Sequence, residues 1–111
     1  MTRPVELVFA RHSGPPRRIT ITPAWCGQGI AIHRPISFNA DGEPRFEEAR
    51  GVWHFSHVNT GMGLGSCRVS LRRAVAIARQ FDADFAAVRR HGEEMPLDRA
   101  RAWKAALTST R

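Results

Sequence analysis

At 111 residues and 42% hydrophobic content, the chain has room for one domain with one modest core. It sets 17 Lys+Arg against 10 Asp+Glu, for a formal net charge of +7, and only Lys104 among the cations is a lysine. No apolar run approaches the ~20 residues of a membrane span, and the opening "MTRPVELVFARHSGPP" has no long apolar stretch of the signal-peptide kind. Cys26 and Cys67 form no CxxC pair, so the expectation is a cytoplasmic protein with reduced thiols.

The first half reads as strands. "VELVFA" (5–10) sets Val5, Leu7 and Phe9 against Glu6 and Val8, and "RRITIT" (17–22) alternates Ile19 and Ile21 with Arg18, Thr20 and Thr22. The turn residues of "HSGPPR" between them predict a hairpin. "GIAIHRPI" (29–36) puts Ile30 and Ile32 on one face and Ala31 and His33 on the other. Pro35 cannot donate a ladder hydrogen bond, so this strand is either an edge or ends there. The Asp-Gly of "NADGEP" (39–44), lying between Phe38 and Phe46, predicts a hairpin or a mobile loop. "VWHFSHV" (52–58) is the strongest β segment.

From Leu71 the period changes. Leu71, Ala74, Val75, Ala78, Phe81, Phe85 and Val88 recur at helical steps, with Ser70 where an N-cap belongs and His91-Gly92 as a stop. "MPLDRARAWKAAL" predicts a second helix over 96–108, with Pro96 near its start. Its apolar edge of Leu97, Ala100, Trp103 and Leu107 is narrow, which fits an arm packed on a second copy. The expected architecture is a single α+β domain over 1–111. An antiparallel sheet of four or five strands within 1–58 precedes one long amphipathic helix (70–91) and a C-terminal helix, and a homodimer is expected.

The linking segment "NTGMGLGSCRVSLRRAVAIARQ" (59–80) resembles a glycine-rich phosphate loop. A dinucleotide fingerprint fails, because Ser66 stands where the third glycine belongs and no strand follows to complete a βαβ unit. A Walker loop fails for want of a lysine. Either the glycines only let the chain turn tightly, or loop amides with Arg68, Arg72 and Arg73 hold a nucleic-acid phosphate. Residues 52–81 carry Arg68, Arg72, Arg73 and Arg79 and no acid, whereas 37–51 is acidic. At about 100° per residue, Arg72, Arg73 and Arg79 fall off the line through Leu71, Val75 and Ala78 and so face solvent. Arg17, Arg18 and Arg34 would add phosphate contacts from the sheet. A solvated basic surface without a partner is the plainer alternative.

Other chemistry finds little support. His54 and His57 are an odd number of residues apart on a strand and point to opposite faces, so they cannot chelate together. A zinc site from Cys26, Cys67 and distant histidines is disfavoured, and no cofactor is implied. A lowered Cys67 pKa at a helix start is conceivable, but no nucleophile motif surrounds it and a buried thiol fits better. No G-x-S-x-G occurs, and the carboxylates lie in solvent-like stretches, so an enzyme is not expected. Trp53 and Phe55 share a strand face, either as core or as a stacking platform for unpaired bases, and core is favoured. That choice leaves Arg18, Thr20, Thr22, His33 and His54 for an outer polar face. The acids of 39–50 are a candidate shield for the basic face.

In "WHFSHVNTGMGLGSCRVSLRRAVAIA" (53–78) a W-x-x-x-H-V-x-T-G strand end precedes a single amphipathic helix. This resembles the ending of small proteins carried on proteobacterial plasmids and integrative elements, and the resemblance implies a role in DNA transactions. The sheet-then-helix order is similar to that of small sheet-based DNA-binding dimers. The expected function is a dimeric DNA-binding regulator or accessory factor, on duplex rather than single-stranded DNA. The alternative is an inhibitor- or antitoxin-like module that binds an acidic protein.

Overall fold

The computed structural model describes residues 3–9, 14–47, 51–88 and 95–109. The strands are β1 (Val5–Phe9), β2 (Arg17–Ile21), β3 (Trp25–Cys26), β4 (Ile30–His33), β5 (Ile36–Phe38), β6 (Pro44–Phe46), β7 (Val52–His57) and β8 (Gly63–Arg68). They are followed by α1 (Leu71–Ala87) and α2 (Leu97–Ser109). The class is α+β with antiparallel pairing, but the strands do not form one sheet. β1-β2 and β5-β6 are separate two-stranded sheets, and β3-β4-β7-β8 is a four-stranded one. The β-rich part also runs beyond residue 58, because the glycine segment supplies β8.

The four-stranded sheet is covered on both faces. Ile30 and Ile32 of β4, Trp53 and Phe55 of β7 and Cys67 of β8 pack on Ala74, Ile77, Ala78, Phe81 and Phe85 of α1 and on Trp103 of α2. On the reverse face, Ala31 joins Val5, Leu7 and Ile21 of the β1-β2 hairpin. Hence all four residues of β4 are buried, the pattern of a strand covered on both sides. β4 is an inner strand that ends before Pro35, and His33, expected on an outer polar face, lies beneath the second layer.

Ser70 caps α1, its Oγ accepting from Arg73 N at 3.2 Å. The helix ends at Ala87, and the expected His91-Gly92 stop lies outside the described residues. Its C-terminal half is fastened to the sheet by Asp82. The carboxylate accepts from the backbone N–H groups of Gln28, Gly29 and Ile30, each at 2.9 Å. Gly29 permits this approach, since a Cβ there would strike Ala86 N and the Asp82 carbonyl. Nearby, His57 Nε2 donates to the Phe85 carbonyl at 2.8 Å, leaving Nδ1 to accept from Thr60 Oγ1 at 2.8 Å.

The narrow apolar edge of α2 closes on its own chain. Trp103 is 7% exposed and meets Phe55, Phe81 and Phe85 edge-to-face, while Leu107 packs beside Gly65. Arg99 joins the helices through Asp84, at 2.8 Å, and the Gln80 carbonyl. The edge from which a dimer arm was expected is therefore occupied, apart from exposed Leu97.

Candidate nucleic-acid interface

Strand register places several of the predicted arginines at one end of the four-stranded sheet. Val52, the first residue of β7, pairs with Arg68, the last of β8, and His33 at the end of β4 pairs with His54. α1 starts directly after β8 and reaches Gly29 and His57 only at its far end. The end of β4, the start of β7, the end of β8 and the first turn of α1 thus converge. Arg34, Arg68, Arg72 and Arg73 belong to this end. The Arg34 guanidinium lies over the Trp53 ring at 4.3 Å, which orients it.

Arg68, Arg72, Arg73 and Arg79 are exposed and have no ion-pair partner among the described residues. Arg72 and Arg79 share one line of α1, about 10 Å apart along the axis, with Arg73 a quarter-turn away. The charge order of α1 runs against its own dipole. The first turn holds no acid and two arginines, the last turn holds no base, and Asp82 and Asp84 lie in the C-terminal half. Cations beside the N-terminal amides cost about 0.3–1 kcal/mol each by the usual macrodipole rule. In exchange, positive potential is concentrated there.

Arg17 and Arg18 do not join this end. They sit on β2, in the layer across the sheet from the helices. Arg17 stacks on Phe38 at 4.9 Å, and Arg18 pairs with Glu6 at 2.8 Å with both side chains more than half exposed. Such a pair contributes little to stability.

The glycine segment is a tight turn and a strand rather than an open loop. Gly63 and Gly65 pair with Ser56 and Phe55 in the β7-β8 ladder. Gly61 N donates to the His57 carbonyl at 2.7 Å, and the Gly61 carbonyl accepts from Val8 N at 2.8 Å. Its φ of 73° and its closeness to the β1 backbone make it a tight turn that locks the outer hairpin to the sheet. This turn follows His57, at the opposite end of the β7-β8 ladder from the Val52–Arg68 pair.

Trp53 and Phe55 are core, at 7% and 1% exposure, and offer no stacking platform. The exposed aromatic is Phe46, 51% accessible, which the sequence marked only as one end of a hairpin. Among the described residues no group of His, Cys, Asp and Glu is placed to hold a metal ion. Both cysteines are free thiols, and burial raises the pKa of Cys67 instead of the helix start lowering it.

His33 and Ser56 form a buried pair. Nδ1–H of His33 donates to the Arg34 carbonyl at 2.8 Å, so Nε2 accepts from Ser56 Oγ at 2.7 Å. At 5% and 4% exposure this pair is sealed from solvent and joins the inner strands β4 and β7. Burial lowers the His33 pKa, the Arg34 carbonyl offsets part of that, and neighbouring His54 lowers it further. Burial lowers His54 too, against a raising effect of Glu47.

Both imidazoles therefore charge less readily folded than unfolded. Their contribution is present above the unfolded value of about 6.5 and is lost as pH falls through the lower folded values. The expected result is a melting temperature that holds near neutrality and declines below about pH 6.5. A His33→Gln variant should be less stable at neutral pH with a shallower acid limb, and differential scanning fluorimetry across pH measures both.

Comparison with known families, curated proteins and solved structures supplies no relative. The chain matches none of them. No helix among the described residues is long and apolar enough to cross a membrane.

Proposed function

We propose that the protein binds DNA through the basic end formed by Arg34, Arg68, Arg72 and Arg73, with Arg79 extending the contact along α1. The observation that carries this reading is the inverted charge order of α1. Arginines occupy the turn where acids would stabilise the helix, without ion-pair partners among the described residues, at the end where Arg34 and Arg68 also converge. A surface shaped only by stability and solubility would not concentrate cations there. Arginine is also the better fork for phosphate. The resemblance of 53–78 to proteins of plasmids and integrative elements adds the setting, a regulator or accessory factor on a mobile element. Duplex is the favoured form, because Trp53 and Phe55 are committed to the core.

The test is a fluorescence-anisotropy titration of a blunt duplex across a salt series. Wild type should give a log–log salt slope of several units, and an Arg72→Ala/Arg73→Ala variant a slope shallower by about two. The same variant should melt no lower than wild type, since both changes relieve the dipole conflict. Absence of binding at low salt would overturn the reading and move the basic end to an acidic protein partner.

A further inference from the structure

We propose that the β5-β6 hairpin seats an unpaired nucleobase on Phe46, so that the preferred DNA is a duplex with a single-stranded extension. This rests on the basic end binding DNA.

Among the described residues the only large hydrophobic side chains left exposed are Phe46, at 51%, and Leu97 at the start of α2. The hairpin's other phenylalanine is fully employed. Phe38 packs edge-to-face on Phe9 at 5.1 Å and lies under Arg17. Phe46 has no ring or cation partner among the described residues. It borders an open concavity lined by Ser37, Arg45, Phe46 and Glu47. The hairpin itself is well specified. The Asn39 side-chain oxygen accepts from Asp41 N and Glu43 N, Gly42 takes a φ of 81°, and Ile36 pairs with Phe46. The concavity is thus held by a defined turn and a fixed register.

Its position connects it to the basic end. Glu47 N donates to the Pro35 carbonyl at 2.8 Å, which anchors the base of the hairpin beside Arg34. Two residues along the chain and one step across the ladder separate Arg34 from Phe46, at most about 13 Å between Cα atoms. A strand whose phosphates meet Arg34 reaches Phe46 within a few nucleotides.

The chemistry of the concavity matches a base. A phenyl face stacks on any nucleobase. Ser37 pairs with Arg45 and Ile36 with Phe46, so Phe46 and Arg45 stand on opposite faces of the hairpin. The ring therefore takes a base by its face, without preference among bases.

The experiment measures affinity at one salt concentration for a blunt duplex and for the same duplex bearing a short dC or dT overhang of either polarity. Wild type should bind either overhang probe about fivefold or more tightly than the blunt one, the least that one stacked base supplies. Phe46→Ala should abolish that gain and leave blunt-duplex affinity unchanged. Phe46 is exposed, so thermal melts should show the variant folded. Equal affinity for blunt and overhang probes, or a gain that survives Phe46→Ala, overturns the base-seating proposal while leaving the basic end intact. Failure of every probe to bind overturns the DNA reading itself.

Discussion

Asp82→Ala is expected to lower folding stability by about 3–5 kcal/mol, read as a drop in the urea midpoint without a change in slope. The carboxylate receives three backbone N–H groups, and hydrogen bonds to a charged acceptor contribute about 1.5–3 kcal/mol each. Gln28 is exposed and recovers its bond from water, whereas Gly29 and Ile30 are buried and are left with unsatisfied donors. The loss is therefore less than three full bonds and more than one. Asp82→Asn should fall between wild type and alanine, since one amide oxygen can keep the Gly29 and Ile30 bonds while the amide nitrogen opposes Gln28 N. A loss below about 1 kcal/mol in Asp82→Ala would mean that water enters beneath α1 and replaces the carboxylate.

This clamp shows what the sequence withholds. Asp82 sits in a run of alternating acids that reads as solvated surface, and its partners lie 52 to 54 residues away. Features decided within a few residues were legible. The alternation of Arg17–Ile21 marked β2, Ser70 marked the helix start, and Asn39 to Glu43 marked the hairpin turn. The solvent-facing arginines of α1 followed from its period alone. β8 escaped because Gly63, Gly65 and Ser66 give no alternation, and it is a strand only by virtue of pairing with β7. His33 was placed outside because no local pattern reveals that the β1-β2 hairpin covers the reverse face of the sheet. Phe46 and Phe38 look alike in the sequence, and only the tertiary arrangement packs Phe38 on Phe9 and bares Phe46. The convergence of Arg34 with Arg68 and Arg72 likewise belongs to strand register. Charge segregation hinted at a basic segment but not at which sheet arginines would join it.

The second large effect is expected at Trp103. Trp103→Ala should cost about 3–5 kcal/mol, the range for removing a large aromatic from a core. The indole meets Phe55, Phe81 and Phe85 at centroid separations of 5.2, 5.3 and 5.2 Å, and its Nε1 donates to the Leu64 carbonyl at 3.1 Å. α2 has 13 residues and little stability of its own at that length. Its docking therefore depends on this one side chain, with Leu107 and the Arg99–Asp84 pair as lesser supports. Trp103→Phe separates the two roles. It keeps an apolar ring but strands the Leu64 carbonyl, for an expected loss of about 1–3 kcal/mol. A further consequence concerns the sheet edge. β8 is the last strand of its sheet, and the bond from Trp103 together with the packing of Leu107 over Gly65 lays α2 along it. Covering an edge in this way blocks pairing with another chain. Loosening α2 should then make association concentration-dependent, which sedimentation velocity on Trp103→Ala at increasing concentration would show. If the basic end binds DNA as proposed, the same variant below its melting transition should match wild type on blunt duplex, because Arg68, Arg72 and Arg73 stand on β8 and α1. Loss of DNA binding in the folded variant would place α2 inside the interface and require its exposed Arg101 and Lys104 to be counted among the phosphate contacts.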